Sequence, residues 1–104
     1  ISIKKVLYKI KELLKENSFA IFLIKPQFEA QRNEINKGIV DNLNVHKRII
    51  NEIIEEAKKY QFFLENLTIS PIKGTKGNIE YLAKFSNENS FSSNKEIVDK
   101  LFNN

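Results

Sequence analysis

The chain has no cysteine and no methionine, and one histidine among its 104 residues. Without cysteine there is no disulfide, no thiolate nucleophile and no cysteine-ligated zinc. A single histidine leaves little to hold a transition metal. No apolar run approaches the roughly 20 residues of a membrane helix. Ile1-Ser2-Ile3-Lys4-Lys5 leads into a helix pattern and not into a basic-then-apolar leader. These absences make a reducing cytoplasm the expected compartment. Methionine is missing even at position 1, so the chain is expected to be a processed product or a piece of something longer.

What is present describes one globular domain with a modest core. Hydrophobic residues make up 41% and charged residues 29%. The net charge of +4, from 17 basic and 13 acidic side chains, is compatible with a nucleic-acid partner but too mild to demand one.

Ile3, Leu7, Ile10 and Leu14 form one helical stripe, which predicts a helix over residues 2–16 with Ser2 as a cap. Asn17 and Ser18 break it. Phe19 to Ile24 is a short unbroken apolar run, and its length and the following Pro26 favour a strand. An unalternating strand is apolar on both faces and suits a parallel sheet covered on both sides. Residues 31–44 read as a long polar loop. His46, Ile49, Ile50, Ile53, Ile54 and Ala57 restore the helical stripe up to about Tyr60. Residues 62–69 read as a second strand, and 70–77 as a turn-rich loop. Residues 78–85 then alternate, with Ile79, Tyr81, Ala83 and Phe85 on one face and Glu80, Leu82 and Lys84 on the other. With no helix between them, these last two strands should pair antiparallel. Ser93-Asn94-Lys95-Glu96 has the capping-box form before a short amphipathic helix. A three-strand sheet of this order leaves the first strand with a bare edge.

Lys25 ends the first strand, where ligand and catalytic sites of open α/β sheets lie. An amine there serves as a base when burial or a neighbouring cation lowers its pKa from about 10.4. Alternatively it marks where the strand leaves the core, with its amine in water. Glu80 on a half-buried strand invites a partner, or is an exposed edge charge. Arg32, Lys37, Lys73 and Lys76 lie on loops and either contact phosphates or are solvated. Phe28 either stacks on a base or packs into the core. His46 reads as a packing or capping residue.

K-P-Q-F-E at 25–29, N-K-G-I-V at 36–40, V-H-K-R-I-I at 45–50 and S-P-I-K-G-T-K-G-N-I-E-Y-L at 70–82 form an ordered series. Together they resemble the carboxyl-terminal half of the TlyA family, FtsJ-like ribosomal RNA 2′-O-methyltransferases often labelled hemolysins. The resemblance covers about residues 1–85. It implies an α/β fold, the back half of a Rossmann-like methyltransferase sandwich. In that half, one parallel-type strand and an antiparallel terminal hairpin are flanked by helices. Residues 1–86 would form that half-domain and 87–104 a polar linker and terminal helix. The resemblance also implies S-adenosylmethionine as cofactor and ribosomal RNA as partner. Its Lys-Asp-Lys-Glu tetrad places Lys25 as the second lysine and Glu80 as the glutamate. Lys25 would take the proton of a ribose 2′-hydroxyl, and the loop residues Arg32, Lys37, Lys73 and Lys76 would hold the RNA backbone, with Phe28 beside them.

The chain departs from the family pattern in having no Gly-rich strand-to-helix turn, no first lysine and no aspartate at matching positions. It is therefore expected to be inactive alone, to need the amino-terminal half as partner, and to self-associate through the open sheet edge. Two other readings stand beside this one. One is a non-catalytic basic module that binds RNA or protein. The other is a membrane-damaging protein, as the hemolysin label suggests.

Overall fold

The computed structural model of the chain describes residues 2–88 and 94–103. The capping serine expected at position 93 lies outside these residues. A short 3-10 turn, Ile3–Lys5, leads into helix α1 (Leu7–Leu13), and the Ser2 hydroxyl accepts from the Lys4 N–H as a cap should. Strand β1 is Phe19–Ile24, and a four-residue helix α2 (Pro26–Glu29) follows at once. Pro26 fits there because the first helical position needs no amide donor. Helix α3 spans Leu43–Lys58, β2 Phe63–Ile69, β3 Tyr81–Ser86 and α4 Asn94–Phe102.

The sheet order is β1-β3-β2, with both pairings antiparallel. The expected β2–β3 pairing forms. Among the described residues β1 has no parallel neighbour: β3 inserts between β1 and β2 and runs against both, so that β1 and β2 point the same way. β1 is left at the edge, as anticipated.

One face of the sheet carries the core. Phe22, Ile24, Leu64, Leu67, Tyr81, Ala83 and Phe85 pack beneath Leu7 of α1, the four isoleucines and Ala57 of α3, and Val98 of α4. Phe22, Phe62 and Phe85 form an aromatic cluster, with the closest ring centroids 5.5 Å apart. α3 covers the sheet because its branched residues fall in adjacent pairs at 49/50 and 53/54, which broadens the apolar stripe. α4 is fixed to the same core by Val98, by Phe102 against Tyr81, and by a Lys47–Asp99 ion pair of 3.0 Å.

The other face is open. Phe19, Ile21 and Leu23 project there and are 56%, 61% and 41% exposed. The region read as a long loop is more ordered than its sequence suggests. It holds a 3-10 turn at Arg32–Glu34 and a tight turn in which Asn36 and Ile39 exchange backbone bonds of 2.8 and 3.0 Å. Among the described residues no helix is long and apolar enough to cross a membrane, and no group of acidic or histidine side chains could hold a metal ion.

Candidate functional site

The last ladder pair between β1 and β3 is Ile24 with Tyr81. Lys25 follows Ile24 and Glu80 precedes Tyr81, so both lie just beyond the end of this ladder. Facing residues of an antiparallel pair project to the same side. Ile24 and Tyr81 point into the core, and alternation therefore sends Lys25 and Glu80 to the open face.

Glu80 is only 5% exposed. The Gln27 side-chain amide donates to its Oε2 at 2.7 Å. Gly74 backs the same carboxylate so closely that a Cβ there would lie 1.9 Å from Oε2. Gly74 has an ordinary φ of −79°, so glycine serves for room and not for backbone conformation. The Lys25 ammonium stands 5.0 Å from the Phe28 ring centroid, a cation–π contact. Among the described residues no ion pair joins Lys25 to Glu80. Phe28 is 54% exposed, so it is not the core aromatic that one reading allowed. Glu29 closes the segment structurally: its carboxylate accepts from the Ser2 hydroxyl at 2.6 Å and the Ile3 N–H at 2.9 Å.

Two of the candidate phosphate contacts come together. Lys37 and Gly38, with φ of 52° and 83°, form the tip of the two-residue turn between Asn36 and Ile39. The Lys76 side chain lies over Gly38, where an added Cβ would meet its Cδ and Nζ at 2.8 Å. Asn78, 1% exposed, holds the two loops in register. Its amide donates to the carbonyls of Gly38 (2.9 Å) and Thr75 (2.8 Å), and its oxygen accepts from the Val40 N–H (3.1 Å). His46 completes the frame, with Nε2 2.6 Å from the Val40 carbonyl and Nδ1 2.8 Å from the Tyr81 hydroxyl. A carbonyl only accepts, so Nε2 carries the proton and Nδ1 accepts from Tyr81. Burial pushes the Tyr81 phenol up to about 12. His46 is thus a packing residue with both nitrogens satisfied, as its place in the apolar stripe suggested. Arg32 and Lys73 are exposed, and no described contact ties them to the lysine pair.

A surface hollow of 660 Å³ lies elsewhere, along the wet face of α3 between Lys4, Asn44, Arg48 and Glu55. The residues there pair with one another, as Lys4 does with Glu52 at 3.2 Å, and they carry no chemistry that Lys25 and Glu80 lack. Arg48 also forms a two-pronged pair with Glu34 and, with the Gln31 N–H, holds that carboxyl down at about 2.

The fold and its strand-end residues define an α/β domain with a lysine and a buried glutamate at the end of the β1–β3 ladder. No family model matches the chain. It is 46% identical over 86 residues to Hemolysin A of Brachyspira hyodysenteriae, covering 82% of this chain and 36% of that protein. It is 37% identical over 83 residues to the protein named "Putative rRNA methyltransferase YqxC" of Bacillus subtilis, covering 79% of this chain and 30% of that one. Two solved structures share the fold. A hemolysin-named protein of Lactococcus lactis matches with a TM-score of 0.82 at 34% identity, over 96% of this chain and 50% of that one. One from Streptococcus thermophilus matches with a TM-score of 0.83 at 33% identity, over 96% and 38%. These similarities support the TlyA-type hemolysin family, and the chain spans about a third of its curated relatives' length.

Three residues with clear structural roles at the site were given none by sequence reasoning: Gln27, Gly74 and Asn78. All three lie inside the quoted motifs. The spacing of Gly74 from Glu80 gives no hint that their atoms touch, because that contact depends on how the intervening loop folds back.

Proposed function

We propose that the chain is the carboxyl-terminal half of the catalytic domain of an S-adenosylmethionine-dependent ribosomal RNA 2′-O-methyltransferase, with Lys25 and Glu80 in its active site. The observation that supports this reading is the register, which ends the β1–β3 ladder at Ile24 and Tyr81, so that Lys25 follows and the buried, hydrogen-bonded Glu80 precedes its last pair. The name of the Bacillus subtilis relative agrees with it. The TlyA resemblance supplies the residue roles.

In this reading Lys25, as the free amine, accepts the proton of a ribose 2′-hydroxyl within hydrogen-bond reach. Glu80 orients it. Phe28, exposed beside Lys25, offers a ring to a nucleotide base, and Lys37, Lys76, Lys73 and Arg32 hold backbone phosphates. S-adenosylmethionine would supply the methyl group, but this chain does not fit it alone. It has no Gly-rich turn, and the buried Glu80 carboxylate is closed in by Gln27 and Gly74. The cofactor pocket therefore belongs to the length that the relatives have and this chain lacks, and the chain alone is inactive.

The β1 edge supports the same division. β2 carries a bulge at Glu65 and polar residues Asn66 and Thr68, devices that discourage further pairing. β1 has none, and its residues are all apolar. The natural partner of that edge is the amino-terminal half, and without it copies of this chain pair with one another.

Lys25→Ala decides between the readings. In protein carrying both halves it should abolish methyl transfer to ribosomal RNA while cofactor affinity by calorimetry stays unchanged. Undiminished transfer would sink the enzyme reading and favour a basic binding module. Dye leakage from vesicles would favour the membrane-damaging one.

A further inference from the structure

Two loops near the site carry the same turn. Asn36-Lys37-Gly38-Ile39 and Thr75-Lys76-Gly77-Asn78 each place a lysine and then a glycine at the centre. Their φ angles match, 52° and 83° in the first and 59° and 83° in the second. Each turn is closed by its fourth N–H on its first carbonyl, Ile39 on Asn36 at 3.0 Å and Asn78 on Thr75 at 3.1 Å. Central positions at positive φ suit glycine, asparagine or aspartate, and a lysine there is strained. Among the described residues four non-glycine positions have positive φ, and these lysines are two of them. Strain of this kind persists only where the surroundings over-determine it, and it collects at ligand clamps.

What over-determines it here is Asn78, whose buried amide donates to the carbonyls of Gly38 and Thr75 and so locks one turn against the other. The Lys76 side chain lies back across Gly38, with Nζ 2.8 Å from where a Cβ would stand. Its ammonium is thereby held against the turn that bears Lys37. Both lysines are exposed. Among the described residues neither has a carboxylate within ion-pair distance. Cations on abutting turns without a counter-ion repel one another, so packing gives no reason for the arrangement, and a bound anion does. The segment that bears Lys76 also sets Gly74 against Glu80, which ties the place of the lysine pair to that of the carboxylate.

We propose that Lys37 and Lys76 form one preset clamp for a single backbone phosphate of the RNA, next to the nucleotide whose ribose faces Lys25. This deepens the methyltransferase reading above and rests on it. Lysine binds phosphate as a point charge, so what the twin turns supply is placement: the charges are in position before RNA arrives. Arg32 and Lys73 add charge from loop positions that are not joined to the pair.

The test is RNA affinity and methyl transfer in protein carrying both halves, with a ribosomal RNA fragment as probe. Lys37→Asn and Lys76→Asn each remove one charge and supply a side chain that the turn prefers. Each should weaken RNA binding by ~5–10-fold at about 0.1 M salt and flatten its salt dependence. KM for RNA should change more than kcat. The melting temperature should hold or rise, which separates a clamp from a structural role. Because both lysines act on one phosphate, the double variant should lose less than the product of the two single losses. Binding kept within about twofold in both single variants overturns this inference alone. So does a double loss equal to the product, an equal loss from Lys73→Asn, or a melting temperature that falls together with binding. Transfer that survives Lys25→Ala overturns the methyltransferase reading, and the clamp's place next to the reacting ribose with it.

Discussion

The two faces of the sheet differ in cover far more than in composition. On β1, Phe22 and Ile24 are buried, while Phe19, Ile21 and Leu23 between them are exposed. Both sets are large and apolar. α1, α3 and α4 all lie against one face, and nothing among the described residues seals the other. Lys84 partly screens it, with its ammonium 4.6 Å from the Phe19 ring and an ion pair of 3.2 Å to Glu65. The open face also leads into Lys25 and Glu80. The packed core and the chemistry proposed for Lys25 and Glu80 thus fall on opposite sides of the same three strands.

The largest effect that tests this division is on the covered side. Phe85→Ala removes a ring from the centre of the aromatic cluster and should cost ~3–5 kcal/mol in urea unfolding. Ile21→Ala on the open face should change stability by no more than about 0.5 kcal/mol. Equal costs for the two would erase the distinction. Next in size is Tyr81→Phe, which leaves His46 Nδ1 buried without its donor and should cost ~1–3 kcal/mol. Ile21→Lys should act on association instead. Light scattering should show self-associating chain becoming monomeric, and a wild-type chain that is already strictly monomeric would refute the open-edge proposal.

The smallest effect is one of pH. Glu34 titrates at about 2 in the folded chain against an ordinary 4.5, mainly through its hydrogen bond to Arg48. A lowered pKa means that the pair stabilises the fold above about 4.5 and that this contribution disappears as pH falls towards 2. The pair lies at the surface, so salt should weaken it. Glu34→Gln should flatten the acid limb of the stability curve, and an unchanged limb would show that the pair contributes nothing measurable.

Much of the fold was legible because periodicity reports burial directly. The α3 stripe predicted its covered face residue by residue, the alternation of residues 79–85 placed Tyr81, Ala83 and Phe85 in the core but not the buried Glu80, and Phe19 to Ile24 was delimited by Asn17-Ser18 and Pro26. The partner of β1 was not legible. An apolar run on both faces says that a strand expects cover, but not which strand lies beside it, and pairing with β3 joins residues more than half the chain apart. At the site, Lys25 and Glu80 stood out as charges at the ends of apolar strands. Gln27, Gly74 and Asn78 did not, because small and neutral residues signal their role only through what they touch.

The central position of β3 bears on the order of events during synthesis. β1 and β2 have no hydrogen bonds to one another, and each pairs only with a strand made after both. No part of the ladder can close until residues 81–86 have left the ribosome, by which time most of the chain is already exposed. Loops of that length close slowly, and an apolar edge that waits for its partner is the segment most open to wrong pairing. β1 is therefore the strand that waits longest for its partner.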